Sequence, residues 1–135
     1  MPSTHFYFIF SLMKKSLHIL ADLHGCAGNP AFLTNKDKVR AKTLAMVRRA
    51  GFKIVASRFH KFSETSAGGS GITGIIIVSE SHVSLHTWPE RSFLNLDIFF
   101  CNYSRNNTKK ARAVFNEFRK IYKPKRVRIR EVWRD

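Results

Sequence analysis

Nucleophilic, acidic and basic side chains are concentrated in one short stretch, SESHVSLHTWPE, at residues 79–90. Ser81 with His82 or His86 could act as a nucleophile and its base, because an imidazole can take the proton from an attacking hydroxyl. The stretch lacks the G-x-S-x-G turn that is typical of serine hydrolases. A polar strand end followed by a hairpin would also account for these residues, so both interpretations stay open on this pattern alone.

Alternation and helical spacing predict the elements that hold this stretch in place. Strands are predicted at residues 17–23, 52–62, 72–78, 83–88, 93–100 and 127–133. Helices are predicted at residues 36–50 and 108–122, and residues 63–71 predict a loop rich in Ser and Gly.

Residues 108–122 have the clearest helical pattern, because their apolar side chains form one stripe: Ala111, Val114, Phe115, Phe118 and Tyr122. Thr108 is predicted to cap the start of this helix. Gly51 is predicted to end the helix at 36–50 from the C′ position. The β-branched run at 72–78 predicts a buried strand.

The order of these elements, β-α-β-β-β-β-α-β, predicts an α+β fold. It favours a two-layer sandwich with an antiparallel sheet and helices on one face. The other face of the sheet also carries many apolar residues. Because a bare apolar face of this kind needs a partner, we expect a dimer.

The chain is strongly basic, since 24 Lys+Arg against nine Asp+Glu give a formal charge of +15. Such a charge attracts polyanions. The basic residues are scattered, however, and no RNA-binding motif or zinc finger organises them. A non-catalytic nucleic-acid-binding module is therefore kept as the alternative to an enzyme.

The 135 residues have a globular composition and fit one domain. Two cysteines, Cys26 and Cys101, are too few for a disulfide framework, which favours a cytoplasmic location. No apolar run is long enough to span a membrane. Residues 1–12 are interpreted as an N-terminal extension or a mis-called start, with the domain at 13–135.

Residues 80–90 resemble the processing site of the bacterial and archaeal S-adenosylmethionine decarboxylase proenzymes, which is close to ESH-hydrophobic-x-hydrophobic-HTWPE. Four other segments are similar to that family: LHILADLHGC, FHKF, LDIFFC and KPKRVRIREV. The resemblance covers residues 13–135.

The resemblance implies a chain that cuts itself. The Ser81 hydroxyl would attack the carbonyl of Glu80, and loss of the Ser81 α-proton would then separate residues 1–80, the β chain, from 81–135, the α chain. A pyruvoyl group would remain at the new N-terminus. The family assigns the α-proton step to a histidine, here His86, and oxyanion stabilisation to a hydroxyl, here Thr73, where the family usually has Ser. No metal is expected.

The pyruvoyl cofactor would form a Schiff base with the substrate amine and accept electrons as carbon dioxide leaves. The family then returns a proton from a cysteine, here Cys101. Strand alternation places Cys101 on the side opposite the apolar residues of strand 93–100, which fits either a proton donor or a buried small side chain. The product, decarboxylated S-adenosylmethionine, serves polyamine synthesis, including that of spermidine.

The family's substrate-binding residues match this sequence less completely than its catalytic residues do. Phe62 corresponds to a ring that stacks on adenine, and Glu90 to a carboxylate that holds the ribose. His24 stands where the family usually has another aromatic residue. With the longer loop at 63–71, this departure keeps arginine or ornithine as alternative substrates of a related pyruvoyl enzyme.

The spacing of Ser81 and His86, five residues apart, places them on opposite faces of a flat strand. The resemblance implies that two protomers pair sheet to sheet and share their active sites. The homodimer would then be a four-layer αββα sandwich.

Overall fold

The computed structural model describes residues 15–63, 70–103 and 105–135. The proposed extension at 1–12 and most of the Ser/Gly-rich loop lie outside those ranges. Within them, the strands are β1 Ser16–His24, β2 Ile54–Lys61, β3 Ile72–Val78, β4 Ser81–Trp88, β5 Phe93–Phe99 and β6 Arg126–Arg134. The helices are α1 Ala31–Thr34, α2 Lys36–Arg49 and α3 Thr108–Tyr122, and a 3₁₀ turn at Pro89–Arg91 joins β4 to β5.

The six strands form one antiparallel sheet in the order β2-β3-β4-β5-β1-β6. The helices cover one face of this sheet. The apolar stripe predicted on α3 is buried against it, and β1 buries Leu17, Ile19, Ala21 and Leu23 on the same side. The predicted α+β two-layer sandwich is confirmed.

The opposite face of the sheet, which we term the bare face, is not covered by any of the described residues. Its exposed apolar side chains come from three strands: Leu20, Ile75, Ile77 and Val132. The prediction that strand 72–78 is buried is therefore correct for one face only, because Ile75 and Ile77 are 39% and 43% exposed. Because β3 carries β-branched residues on both faces, its sequence does not distinguish the buried face from the exposed one.

Two helix ends test the predicted caps. Gly51 has φ 97°, the left-handed conformation expected of a residue just beyond a helix. The prediction for Thr108 is wrong, because Thr108 is the first helical residue and Asn107 precedes it as the N-cap. The Thr108 N–H is bound instead by the side-chain oxygen of Asn106, at 3.0 Å.

Candidate active site

Ser81 begins β4 directly after a two-residue turn formed by Ser79 and Glu80. Glu80 has φ 55°, in the left-handed region where a side chain crowds its own backbone. Glycine or asparagine usually occupies such a turn position. A different residue there costs about 1–2 kcal/mol. The peptide bond between Glu80 and Ser81 is therefore held in a strained segment.

The Ser81 side chain points toward the helix layer and is only 7% exposed. Its Oγ accepts a 2.7 Å hydrogen bond from the backbone N–H of Cys101. β5 ends at Phe99, so Cys101 lies beyond the strand and the alternation argument does not decide its environment. The structure thus brings Ser81 Oγ into contact with the backbone of Cys101, the residue predicted to carry the proton donor.

Glu80 and Cys101 line a cavity of about 320 Å³ at this end of the sheet. Three cationic side chains also line it, Lys53, Arg105 and Lys110. This excess of positive charge favours an anionic group in the cavity, such as a carboxylate. The cavity could therefore accept a small acidic ligand beside Glu80 and Cys101.

Of the two cysteines, only Cys101 lines this cavity among the described residues. Both cysteines are free thiols. Cys26 packs against the core, and its thiol donates to the Leu23 carbonyl at 3.4 Å. Burial raises the pKa of Cys26 to about 11, so that thiol stays protonated at neutral pH.

Thr73 and His86 form a second pair on the bare face. They are cross-strand partners on β3 and β4, and Thr73 Oγ1 lies 2.9 Å from His86 Nδ1. His60 is the partner of Thr73 on β2, and its ring meets that of Phe62 edge-on, with the centroids 4.7 Å apart. Phe62 is 43% exposed, and Glu90 lies exposed in the 3₁₀ turn that follows β4. We term Phe62, Thr73, His86 and Glu90 the histidine half-site, and Ser81 with Cys101 the cleavage half-site.

The two half-sites are separate within one chain. Five residues of extended strand span about 16 Å between Ser81 and His86. Their side chains also lie on opposite faces of the sheet, because Ser81 is buried toward the helices and His86 is exposed. Neither His86 nor Thr73 can therefore act on Ser81 of the same chain in this conformation.

His24 does not lie beside Phe62 in this chain. Its ring stacks on Phe93, with the centroids 4.6 Å apart. β1, which carries His24, lies four strands from β2, or about 19 Å at the usual strand spacing. The predicted role of His24 in the same substrate pocket stays a prediction.

Sequence reasoning missed a cluster of His18, His82 and Asp97 on the bare face. Their ligand atoms all lie within 4.8 Å of one another. His18 Nε2 bonds to Asp97, and Arg134 lies 3.4 Å from His18 Nδ1. The Arg134 guanidinium places a permanent positive charge beside this cluster. Because that charge repels a metal cation, the cluster fits a hydrogen-bonded group better than a metal site.

The chain is similar to S-adenosylmethionine decarboxylases. The family model of that description matches residues 17–135. The S-adenosylmethionine decarboxylase proenzyme of Thermococcus kodakarensis is 34% identical over 105 residues, 78% of this chain and 68% of that protein. The proenzyme of Clostridium kluyveri is 40% identical over 84 residues, 62% of this chain and 61% of that protein.

A solved structure extends the similarity to the fold. The crystal structure of the adenosylmethionine decarboxylase from Aquifex aeolicus superimposes with a TM-score of 0.73 at 25% identity. The match covers 88% of this chain and 89% of that one. Within the described ranges, no helix combines the length and the apolar character that a membrane crossing requires.

Proposed function

This chain belongs to the S-adenosylmethionine decarboxylase family, and we propose that it is a self-processing, pyruvoyl-dependent carboxy-lyase. Its substrate would be S-adenosylmethionine, and its product would feed polyamine synthesis. The observation that carries this proposal is the position of Ser81, directly after the left-handed Glu80 and 2.7 Å from the Cys101 N–H.

Cleavage would begin with attack of Ser81 Oγ on the carbonyl carbon of Glu80, which exchanges the amide for an ester. Removal of the Ser81 α-proton then breaks the bond between Cβ and the ester oxygen. That oxygen leaves with Glu80 as part of a terminal carboxylate. The dehydroalanine at residue 81 takes up water and loses ammonia to leave a pyruvoyl group.

The Cys101 N–H supports the first step. By donating to Ser81 Oγ, it holds the oxygen in place and leaves the hydroxyl proton free for transfer to a base. The strain at Glu80 favours the same step, because the turn can relax once the amide is lost.

A pyruvoyl group supplies a ketone electrophile that takes up electrons when carbon dioxide leaves a bound amino acid. This chain surrounds its site with the cationic cavity and the Cys101 thiol. The cavity cations would hold the substrate carboxylate, and Cys101 would return a proton to the substrate carbon.

The histidine half-site would serve the cleavage half-site of a second copy. Within one chain His86 is about 16 Å from Ser81 and on the other face of the sheet. The bare face supplies a surface for pairing, since Leu20, Ile75 and Ile77 are exposed there. Two copies packed through it would form the four-layer αββα homodimer.

In that dimer, the partner copy would also provide the nucleoside contacts. The exposed ring of Phe62 can stack on adenine, and the exposed carboxylate of Glu90 can accept hydrogen bonds from ribose hydroxyls. Thr73 holds His86 in place through the 2.9 Å contact. His24 would contribute an aromatic surface from β1.

Denaturing mass spectrometry of the purified protein tests the proposal. The expected result is two fragments that meet between Glu80 and Ser81, the second lacking a free N-terminal amine. Ser81→Ala should stay whole. Carbon dioxide should be released from carboxyl-labelled S-adenosylmethionine and not from arginine or ornithine. A wild-type chain that stays unbroken on prolonged incubation would overturn the proposal.

A further inference from the structure

The segment that follows β5 is closed by two buried asparagines, Asn102 and Asn107, which we term the asparagine clamp. The Asn107 N–H donates to the side-chain oxygen of Asn102 at 2.6 Å. Asn102 donates in turn to the Lys15 carbonyl at 2.8 Å and to Thr108 Oγ1 at 3.2 Å. The clamp therefore ties the segment after β5 to the residue before β1 and to the start of α3.

Cys101 is held by this clamp. The side-chain Nδ2 of Asn107 donates a 2.8 Å hydrogen bond to the Cys101 carbonyl. The Cys101 N–H is meanwhile bound to Ser81 Oγ. Both peptide groups of Cys101 are thus held, and they set the direction of its Cα–Cβ bond. Asn107 also lines the cavity that contains Glu80 and Cys101.

One atom of the clamp has no hydrogen-bond donor among the described residues. Asn107 is only 6% exposed, and its Oδ1 is buried without a hydrogen-bond partner among the described residues. A buried acceptor left without a donor is destabilising. Reversing the amide would direct Oδ1 at the Cys101 carbonyl oxygen, which is less favourable still. The orientation of the amide is therefore explained by the hydrogen bond from Nδ2 to the Cys101 carbonyl.

We propose that Asn107 is a positioning residue that sets the orientation of Cys101, and through it that of Ser81 Oγ. The inference rests on the proposed self-processing activity. Without the Nδ2 donor, the peptide unit between Cys101 and Asn102 keeps, among the described residues, only the 2.8 Å bond from the Asn102 N–H to Ser16 Oγ. The Cys101 carbonyl can then shift, and the Cys101 N–H moves out of line with Ser81 Oγ. Self-cleavage should then slow even though every reacting group is present.

The test compares the cleavage rate of newly synthesised wild-type chain with Asn107→Leu and Asn107→Asp. Asn106→Ala is the matched control, because Asn106 is exposed and bonds only to the Thr108 N–H among the contacts described for it. We expect Asn107→Leu to cleave at least 10-fold more slowly than wild type, and Asn106→Ala within twofold of it. Melting temperatures measured in a Ser81→Ala background verify that each variant folds.

Asn107→Asp separates positioning from folding through its pH profile. A carboxylate cannot donate to the Cys101 carbonyl, but a protonated carboxyl can. Burial raises a carboxyl pKa, so the cleavage rate relative to wild type should recover as the pH falls toward 5. The same ratio for Asn107→Leu should not change with pH.

Each outcome bears on one proposal. If the wild-type chain cleaves and the Asn107 variants cleave at the same rate as it does, the positioning role is overturned and the proposed function is unaffected. The positioning role is also overturned by a second result. In that result, the cleavage rate of Asn107→Leu falls only in proportion to its melting temperature, and the rate of Asn107→Asp relative to wild type does not change with pH. If the wild-type chain itself fails to cleave, the proposed function fails first.

Discussion

Ser81 and His86 lie on the same strand, β4, but face opposite sides of the sheet. Ser81 is bound to the Cys101 N–H on the helix side, and His86 is bound to Thr73 on the bare face. We propose that a histidine that acts in cleavage comes from another copy. Because Ser81 points away from the bare face, that histidine would have to reach Ser81 past the turn at residues 79–80, where β4 begins. The separation of the half-sites and the exposed apolar bare face both support the proposed homodimer.

Complementation tests this sharing of sites. Ser81→Ala and His86→Ala should each remain uncleaved when expressed alone. In a mixed dimer, Ser81 of the His86→Ala chain meets His86 of the Ser81→Ala chain, which restores one complete site. Co-expression of the two with different affinity tags should therefore cleave the His86→Ala chain only, as gel electrophoresis would reveal. Absence of cleavage in purified mixed dimers would contradict sharing.

The left-handed conformation of Glu80 predicts a change in cleavage rate. Glycine adopts φ 55° without the side-chain crowding that costs other residues about 1–2 kcal/mol. Glu80→Gly should therefore slow cleavage about 5- to 30-fold, since about 1.4 kcal/mol of lost strain corresponds to a factor of ten. Pulse-chase measurement of the uncut chain gives the rate.

Two variants control for other effects of Glu80→Gly. Ser79→Gly adds flexibility to the same turn at a residue outside the left-handed region, and should cleave nearly as wild type. Glu80→Asn removes the carboxylate while tolerating the conformation, and should be intermediate. A wild-type rate for Glu80→Gly would mean that the strain does not contribute.

Gly74 predicts a stability effect beside the histidine half-site. A Cβ at this position would lie 2.4 Å from a carbon of the Phe59 ring, so the ring has to move. Gly74→Ala should lower the free energy of unfolding by about 1–3 kcal/mol. Urea denaturation in a Ser81→Ala background measures it, and adding Phe59→Leu should recover part of the loss. Additive effects of the two changes would argue against this contact.

The fold was largely predictable because its signals are local. The α3 stripe from Ala111 to Tyr122 repeats with helical spacing, and the predicted range 108–122 matches the observed helix. β3 likewise matches residues 72–78. The cap of α3 was harder, since three neighbouring polar residues could each fill that position and only the tertiary contacts of Asn107 distinguish them.

The sites were less predictable, because strand pairing assembles them from distant residues. His18 and Asp97 are 79 positions apart and meet only because β1 and β5 are neighbours. The left-handed turn at Glu80 contains neither Gly nor Asn and so gives no local signal. The opposed faces of Ser81 and His86 followed from strand alternation alone and match the structure.

Cys101→Ala should separate cleavage from turnover. The substitution keeps the backbone N–H that binds Ser81 Oγ, so self-cleavage should proceed within a few-fold of the wild-type rate. Loss of a positioned proton donor should lower the rate of carbon dioxide release or product formation about 100-fold or more. Cleavage and product formation are measured on the same preparation. Normal turnover would remove Cys101 as the donor.

The two cysteines should also differ in their reaction with iodoacetamide, which attacks the thiolate. Because burial raises the pKa of Cys26 to about 11, its labelling in a Cys101→Ala chain at pH 8 should be about 100-fold slower than in urea. Because the folded state favours the protonated Cys26 thiol, this preference contributes to the stability of the fold. The contribution is complete below the pKa of the thiol in the unfolded chain and is lost as the pH rises through 11. Mass spectrometry follows the labelling, which should accelerate as the pH approaches 11. Equal rates with and without urea at pH 8 would show that Cys26 is not shielded by the core.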